Sequence, residues 1–343
     1  MEYAGRYKTF DSSRIATYPL EGRSNKVTLD DLIFPGGLDA LNLDVPEQTA
    51  RDIQTVAEAI VAARRAKKPV ILFTGAHLIK NGLGPLLADL VERRFVTLVA
   101  GNAATTIHDF ELALIGQTSE NVPAALGQGQ FGMAYEFAYI NTALSVGNQQ
   151  KLGYGETLGR MICDEAFGKQ ILVLAATEGS PRTFAHPETS VLAACYRHEV
   201  PFTVHVGIGT DVIDQHPSFD GQAKGGCSGR DFLIYTHEVT KLTEGGVVLN
   251  IGSAVTGPEV LLKAVSMAAN AGAVPRDILT ADFDLRRHDP KQMADERAQG
   301  YYFRDQKSVV TRIPQAFGGR GFYVQGDQRA TFPLLYQAIL QGL

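Results

Sequence analysis

The most constraining feature of this sequence is a strand–helix–strand pattern between residues 69 and 114. Pro69–Phe73 is an apolar run without polar alternation, which is typical of a strand buried on both faces of a parallel sheet. Apolar residues then recur at the spacing of one helical face, and a second apolar run follows at Phe95–Ala100. Two parallel strands joined by a helix need about this length of chain. The pattern therefore predicts an open α/β sheet whose ligands lie beyond the carboxyl ends of its strands.

The composition is that of an ordinary globular protein, with 343 residues, 45% hydrophobic and 20% charged. The formal net charge is −5, and the longest basic run, Arg64–Lys68, predicts a solvated helix end rather than a nucleic-acid surface. The three cysteines are odd in number and widely spaced, which favours free thiols in a reducing compartment. No apolar run has the length of a membrane span or a signal-peptide core. We therefore expect a cytoplasmic protein without nucleic-acid or membrane partners.

The chain divides into an arm and one domain. We expect residues 1–45 to form a polar N-terminal arm that packs on its own domain or on a partner subunit, and residues 46–343 to form a single doubly wound α/β domain with a mostly parallel sheet and helical insertions. Residues 105–168 are predicted to be helical without a strand, and Gly221–Gly229 is predicted to be a loop. Short apolar runs at Ile171–Ala175 and Ser308–Ile313 are further strand candidates.

Six predicted strand ends share one pattern, in which an apolar run is followed by small residues and then by a polar or acidic side chain. They are Gly75–His77, Gly101–Ala104, Gly207–Asp211, Gly252–Ala254, Thr280–Asp284 and Gly326–Asp327. Small residues let a ligand approach the backbone, helix N-termini bind anions, and acidic residues accept hydrogen bonds from ribose hydroxyls. A single glycine at a strand end is ordinary turn chemistry. Six such ends in one chain favour a dinucleotide site, although no G-x-G-x-x-G fingerprint is present.

Several histidines lie at or beside these loops. His77, His108 and His205 are candidates for acid–base work because histidine titrates near neutral pH, and a hydrogen-bonded structural role is the ordinary alternative for each. A second function class, a metal-assisted hydrolase, is left open by the side-chain types of His205, Asp211, Asp214 and His216. Their spacing matches no standard metal site, so we predict no metal.

The order of several segments resembles the NAD-contacting segments of deoxyhypusine synthases. They are the run from Leu78 to Leu114 and the later stretches PETSVLAACYRHEVP, VVLNIGSAV, ILTADFD and GDQRATFPLL. The resemblance extends from about Lys68 to the C-terminus and implies a Rossmann-like fold, NAD as cofactor, and a homotetramer with active sites at subunit interfaces. With the first strand end included, the implied cofactor-binding residues are Gly75, Ala76, Gly101, Asn102, Ala103, Gly252, Ser253, Ala254, Thr280, Ala281 and Asp327.

The resemblance places His108 and Asp109, which we expect to open a helix, where the family has paired acids, and places Asp211 and Asp214 near family acids that serve the cofactor and the polyamine. With His77, which lies at the first strand end, these are the candidate catalytic residues. The family's nucleophilic lysine is missing, since a Gly-Pro pair at 257–258 stands in its place, and the chain has no tryptophan for the polyamine pocket. We therefore expect an NAD-dependent transferase or lyase, polyamine-related but not a true deoxyhypusine synthase. It would act on an amine- or hydroxyl-bearing small molecule by transient hydride removal. A non-catalytic paralogue is the remaining alternative.

Overall fold

The computed structural model describes residues 3–175 and 183–342. The strands are β1 Asn25–Thr28, β2 Val70–Thr74, β3 Leu98–Gly101, β4 Gln117–Glu120, β5 Phe202–Val204, β6 Val247–Ile251, β7 Leu279–Asp284 and β8 Arg320–Gln325. The α-helices are α1 Glu47–Arg65, α2 Ala76–Lys80, α3 Gly84–Glu92, α4 Ala103–Ile115, α5 Val122–Leu126, α6 Phe137–Gln149, α7 Tyr154–Cys163, α8 Glu165–Ala175, α9 Val191–Arg197, α10 Gly221–Val239, α11 Thr256–Asn270, α12 Pro290–Ala294, α13 Ile313–Phe317 and α14 Gln328–Gln341.

The main sheet has six parallel strands in the spatial order β5-β3-β2-β6-β7-β8. Renumbered along the chain, this is the order 3-2-1-4-5-6 of the Rossmann fold. The prediction of a Rossmann-like, doubly wound α/β fold is therefore confirmed. The strand order reverses between β2 and β6, where Thr74 pairs with Ile251, so the carboxyl ends of these two strands open the crevice in which such sheets bind ligands.

The central strand β2 is buried on both faces. Val70 and Leu72 belong to the larger hydrophobic cluster, whereas the alternating Ile71 and Phe73 belong to a second cluster on the opposite face. This explains the apolar run without polar alternation that predicted the strand. Burial of each such side chain contributes about 1.5–3 kcal/mol before the entropy of ordering is subtracted.

The N-terminal arm packs on its own chain. Strand β1 pairs antiparallel with β4, which places Val27 opposite Thr118. Leu20, Ile33 and Leu38 are buried in the larger hydrophobic cluster. Arg23 of the arm also lines a cavity with residues of α4 and of the loop after β5. Strand β4 lies inside the stretch 105–168 that was predicted to lack a strand, so that prediction is wrong.

Three other local predictions are wrong for identifiable reasons. Ile171–Ala175 is the second half of α8, whose buried face recurs at helical rather than strand spacing. Ser308–Ile313 lies in the π-helical segment Gln306–Arg312 and the start of α13. The glycine-rich stretch at 221–229 belongs to α10, where a Cβ on Gly226 would come within 2.3 Å of Asn148 on α6. Close packing of α10 on α6 therefore uses the missing side chain.

No described helix combines the length and the apolar character needed to cross a bilayer.

Candidate functional site

The switch point of the sheet is formed by two glycines. The amide of Gly75, after β2, donates a 3.0 Å hydrogen bond to the carbonyl of Ile251 at the end of β6. A Cβ on Gly75 would lie 2.2 Å from the carbonyl oxygen of Gly252, and Gly252 itself has a φ of 64°, in the left-handed region. Both positions therefore require glycine, because the two strand ends approach each other too closely for side chains.

Most of the predicted cofactor-binding residues gather at this edge of the sheet. Gly75 and Ala76 follow β2, residues 101–103 join β3 to α4, and residues 252–254 follow β6. Thr280 and Ala281 do not, since both are fully buried inside β7 and the Thr280 hydroxyl donates to the carbonyl of Val309. Thr280 lies four residues and Ala281 three residues before the end of β7.

The polar side chains at these strand ends cap the helices that follow. Asn102 Oδ1 accepts a 2.9 Å hydrogen bond from the amide of Thr105 in α4. Ser253 Oγ accepts one of 2.9 Å from the amide of Gly257 in α11. Asp327, which is exposed, accepts one of 2.8 Å from the amide of Arg329 in α14. Asn102 and Asp327 are the N-caps of α4 and α14. Ser253 lies before Val255, the N-cap of α11, and accepts from an amide in the first turn of that helix.

Unpartnered acceptors lie near the ends of β6 and β7. In the described part of the chain, Asn250 Oδ1, Asp282 Oδ2 and Gln328 Oε1 are buried without a hydrogen-bond partner. Asn250 Nδ2 donates 2.7 Å to the other oxygen of Asp282, whose pKa is raised well above its usual range by burial and by the nearby Asp305. Buried acceptors without partners are costly unless a ligand or water satisfies them, and ribose hydroxyls or a carboxamide have the complementary donors.

A cavity of about 520 Å³ lies over the carboxyl ends of β2, β3 and β5. Its wall is built by the arm, β4, α2, α4 and the loop after β5. The polar residues of the wall are Arg23, Lys80, His108, Glu111, Ser119, Glu120, Thr210, Asp211, Asp214 and Gln215. Ser119 has a φ of 68°, a strained conformation for a residue with a side chain, and such strain is concentrated at functional sites.

His108 is oriented by a chain of buried groups. Its Nδ1 lies 2.6 Å from the hydroxyl of Thr118, and that hydroxyl donates a 2.5 Å hydrogen bond to Glu111 Oε2. Because Thr118 donates its hydroxyl proton to Glu111, it accepts a hydrogen bond from His108. The proton of the neutral imidazole is therefore assigned to Nδ1, and Nε2 has the free lone pair. A histidine held in one tautomer by its far nitrogen is the arrangement used by general bases.

Arg23 completes this chain from the N-terminal arm. Its Nη1 lies 2.7 Å from Glu111 Oε1, and both side chains are almost fully buried. Burial alone would raise the pKa of Glu111, but interactions with His108 and Arg23 lower it to about 2. Glu111 is therefore a carboxylate at neutral pH and remains an acceptor for the Thr118 hydroxyl.

Asp109 does not belong to the site. Its carboxylate accepts hydrogen bonds from the Ser190 hydroxyl at 2.5 Å and from the amides of Val191 and Leu192 at 2.8 and 3.1 Å. It caps the N-terminus of α9 from the buried side of α4 and does not line the cavity, so the structure does not place it beside His108's ligand space. His108 and Asp109 also do not open a helix, since α4 begins at Ala103.

Asp211 and Asp214 line the cavity but are paired with Lys224. The ammonium of Lys224 lies 2.6 Å from Asp211 and 2.5 Å from Asp214, and it also donates to the carbonyl of Gly207. These three hydrogen bonds use every ammonium proton. Burial raises the pKa of Asp211 while Lys224 opposes the rise. The pair therefore fixes the loop after β5, and neither acid is placed as a free base.

His77 lies in the first turn of α2, on the protein surface. Partial burial lowers its pKa, and the nearby Lys80 and His108 lower it further. His77 is therefore neutral at pH 7, close to the cavity wall but outside it.

The residues of the metal alternative are not assembled. His205 is buried, stacks on Phe73 with ring centroids 5.5 Å apart, and has a pKa lowered to about 3 by burial. His216 Nδ1 accepts a hydrogen bond from the amide of Ser218, and burial lowers its pKa to about 4. Within residues 3–175 and 183–342, no group of three or more His, Cys, Asp or Glu side chains is arranged to hold a metal ion.

The sequence did not single out Arg23, Glu111, Thr118 or Lys224. Glu111 had a usable signal, because it lies three residues after His108 on a predicted helix and therefore on the same face. Thr118 and Arg23 reach the site only through the β1–β4 pairing, which no local pattern indicated.

No family model matches the sequence, and no curated protein is similar to it. Among solved structures, the chain is similar to ArgZ, an arginine dihydrolase from the ornithine–ammonia cycle in cyanobacteria, with 14% identity, a TM-score of 0.46, and coverage of 84% of this chain and 32% of that one. It is similar to AgrE in its complex with ornithine and NAD⁺, with 13% identity, a TM-score of 0.48, and coverage of 88% and 34%.

A third similar structure is an Entamoeba histolytica protein provisionally assigned as a deoxyhypusine synthase, with 9% identity, a TM-score of 0.37, and coverage of 95% and 97%. The chain thus spans about a third of the length of the ArgZ and AgrE chains. At these values the likenesses carry no argument about function, and the fold class rests on the order of the parallel strands.

Proposed function

We propose that this chain is an NAD-dependent enzyme that removes a hydride transiently from a small molecule bearing an amine or a hydroxyl group. The observation that carries the proposal is the position of His108. Held in one tautomer by Thr118 and Glu111, it lines a cavity of about 520 Å³ whose wall includes the helices that follow β2 and β3 and the loop that follows β5 in a 3-2-1-4-5-6 sheet.

The strand ends fit a dinucleotide in part. Gly75 and Gly252 keep the two strand ends at the crevice free of side chains, and the unpartnered acceptors of Asn250, Asp282 and Gln328 offer hydrogen bonds to hydroxyl or amide groups of a ligand. The acid that commonly binds ribose at the end of the second strand is replaced by Asn102, whose Oδ1 caps α4. NAD, when bound, supplies a hydride acceptor.

His108 supplies the base. Removal of a hydride from a carbon that bears an amine or hydroxyl group requires that the heteroatom lose a proton. The Nε2 lone pair of His108 takes that proton, and the negative Glu111 stabilises the resulting imidazolium through Thr118. Arg23 fixes Glu111 in place as a positioning residue.

A covalent route through lysine is not part of the proposal. Gly257 lies at the start of α11, where a Cβ would come within 2.4 Å of Asn250 Oδ1, and Lys263 in the same helix is exposed and paired with Glu259. Lys224 has all three ammonium protons in hydrogen bonds. No described lysine therefore replaces the family nucleophile at that strand end.

The test is NAD binding followed by a substrate screen. We expect isothermal titration calorimetry of the full chain to detect NAD binding. Incubation with NAD and a panel of primary amines and hydroxy acids deuterated at the reacting carbon, followed by rapid quenching, should give deuterated NADH by mass spectrometry, because the abstracted deuteride resides on the cofactor until it is returned. A folded chain that binds no NAD contradicts the proposal. A chain that binds NAD but forms deuterated NADH with no member of the panel contradicts its catalytic part.

A further inference from the structure

A groove of about 480 Å³ lies at the amino ends of the strands, at the edge of the sheet opposite the crevice. It is formed where the C-terminal ends of α1, α3 and α10 meet, directly before the chain enters β2 and β3. Five cations line it: Arg64, Lys67, Lys68, Arg94 and Lys241. The basic run at the end of α1 is thus joined by cations from two distant parts of the chain.

The charge of this groove is not balanced by the protein. Glu238 is the one acid among its described lining residues and is paired with Lys241, so five cations less one acid leave a net charge of +4. A helix C-terminus carries about −0.5 of a charge, so the three helix ends offset about 1.5 and leave about +2.5. The whole chain, in contrast, has a formal net charge of −5. Exposed cations elsewhere, such as Arg51 and Lys169, have a carboxylate partner one helical turn away.

The cations of the groove also have free donors. The Arg64 guanidinium carbon lies 5.0 Å from the centroid of the Phe95 ring, and its Nε donates to the carbonyl of Arg93. Its two terminal nitrogens therefore have no hydrogen-bond partner among the described residues. Lys68 donates one ammonium proton to the carbonyl of Thr243 and keeps two. Guanidinium and ammonium groups fixed around one groove are the donors that bind phosphate oxygens.

Two of the cations occupy positions that favour glycine. The ends of α1 and α3 are both Schellman motifs, and the left-handed residue after the cap is Lys67, with a φ of 55°, in one and Arg94, with a φ of 61°, in the other. Glycine adopts this conformation without strain, whereas a residue with a side chain does not. Both side chains are exposed and form no ion pair with a described residue, so no contact within the chain accounts for a cation there.

We propose that this groove binds a compact polyphosphate, either inorganic or as the triphosphate of a nucleotide. A single phosphate group carries about −1.5 to −2, which is less than the excess positive charge of the groove, whereas a triphosphate concentrates more charge in a similar space. Nucleic acid fits less well, because no described lining residue is an aromatic on which a base could stack. The inference does not depend on the proposed function, since it concerns the opposite edge of the sheet.

The experiment titrates four probes into the full chain by calorimetry at low ionic strength: inorganic tripolyphosphate, ATP, inorganic phosphate and an oligo(dT) of about eight nucleotides. We expect tripolyphosphate to bind, and inorganic phosphate to bind ~10-fold or more weakly. ATP that binds as tightly as tripolyphosphate identifies the nucleotide as the source, and weaker binding of ATP identifies inorganic polyphosphate.

Lys67→Gly and Arg94→Gly should each weaken tripolyphosphate binding by ~10-fold, as loss of a charge-assisted hydrogen bond predicts. Their Tm should equal or exceed that of the wild type, because glycine relieves the left-handed strain. Loss of binding in these variants is therefore separable from loss of folding.

Lys151→Gly is the matched control. Lys151 is exposed and left-handed, with a φ of 62°, after the cap of α6, but it does not line the groove, so its replacement should leave tripolyphosphate affinity unchanged. The inference is overturned by a folded chain that does not bind tripolyphosphate, by equal affinity in the wild type and both groove variants, by an equal loss in Lys151→Gly, or by tighter binding of the oligonucleotide. NAD affinity should be the same in every variant, and its loss in the groove variants would contradict two separate sites.

Discussion

The carboxylate of Asp109 accepts a 2.8 Å hydrogen bond from the amide of Val191, 82 positions later in the chain. The neighbouring His108 faces the cavity, so two adjacent residues of α4 serve opposite sides of the helix. His108 lines the cavity, and Asp109 fixes the start of α9 on the domain core.

We expect Asp109→Ala to lower the free energy of unfolding by ~2–4 kcal/mol, because it removes the cap of α9 and leaves buried amides without an acceptor. NAD affinity should not change, since Asp109 does not reach the cavity. Urea denaturation and calorimetry test both statements, and a stable variant with weakened NAD binding would return Asp109 to the site.

We expect His108→Gln to lower turnover 10²–10⁴-fold, equivalent to ~2.7–5.5 kcal/mol of transition-state stabilisation, with NAD still bound. Thr118→Val should lower turnover less and alter its pH profile, because the ring loses the acceptor at Nδ1. The exposed His237 gives the matched control, His237→Gln, which should match the wild type. The readout is the rate at which deuterated NADH forms from the substrate found in the screen. An unchanged rate in folded His108→Gln would exclude His108 as the base.

Glu111→Gln tests the buried ion pair. In the folded wild type the pKa of Glu111 is about 2, below its value in the unfolded chain. The stability that Glu111 contributes is therefore present above about pH 4.5 and is lost as the pH falls through 2. Breaking the pair at pH 7 should cost ~3–5 kcal/mol, because Arg23 is left buried and uncompensated. The difference in unfolding free energy between Glu111→Gln and the wild type should become smaller as the pH is lowered. The control Glu47→Gln changes an exposed acid, and an E111Q effect that is independent of pH would contradict the pairing.

Asp231 gives the opposite pH dependence. Burial raises its pKa to about 7, although its Oδ2 accepts hydrogen bonds from the amides of Gly155 and Val204. Because this is above the unfolded value, its stabilising contribution is complete below about pH 4 and is lost as the pH rises through 7. We expect Asp231→Asn to flatten the fall in unfolding free energy between pH 4 and 7, measured by urea denaturation. The control Asp30→Asn changes an exposed acid and should leave that fall as it is in the wild type. An unaltered pH dependence of the unfolding free energy in Asp231→Asn would refute the raised pKa of Asp231.

Gly75→Ala should weaken NAD binding and lower stability by ~1–3 kcal/mol, because the new Cβ would meet the Gly252 carbonyl at 2.2 Å. Gly225→Ala is the control, since its Cβ would meet nothing within 4 Å in the interior of α10. We expect the control to gain ~0.5–1 kcal/mol of stability and to bind NAD normally. Calorimetry showing equal NAD affinity in folded Gly75→Ala would remove the switch point from the cofactor site.

The sequence by itself determined the strands of the sheet and the place where they end. An apolar run such as Val70–Phe73, without polar alternation, has few alternatives to a strand covered on both faces, and the small residues after it mark the carboxyl edge. These features are local, so they can be read from neighbouring residues. The same local rules misassigned Ile171–Ala175 and the glycines of α10, where helical packing overrode short-range composition.

Only the tertiary structure decided what the side chains at that edge do. It turned His108 into the cavity and Asp109 into the core, paired Asp211 and Asp214 with Lys224, and brought Arg23 from the arm to Glu111. The physical reason is that a buried polar group takes whichever partner the fold places beside it, and those partners are distant in sequence. The strand ends follow from local patterns, whereas the chain of contacts from His108 through Thr118 and Glu111 to Arg23 forms only when the arm, β4 and α4 pack together.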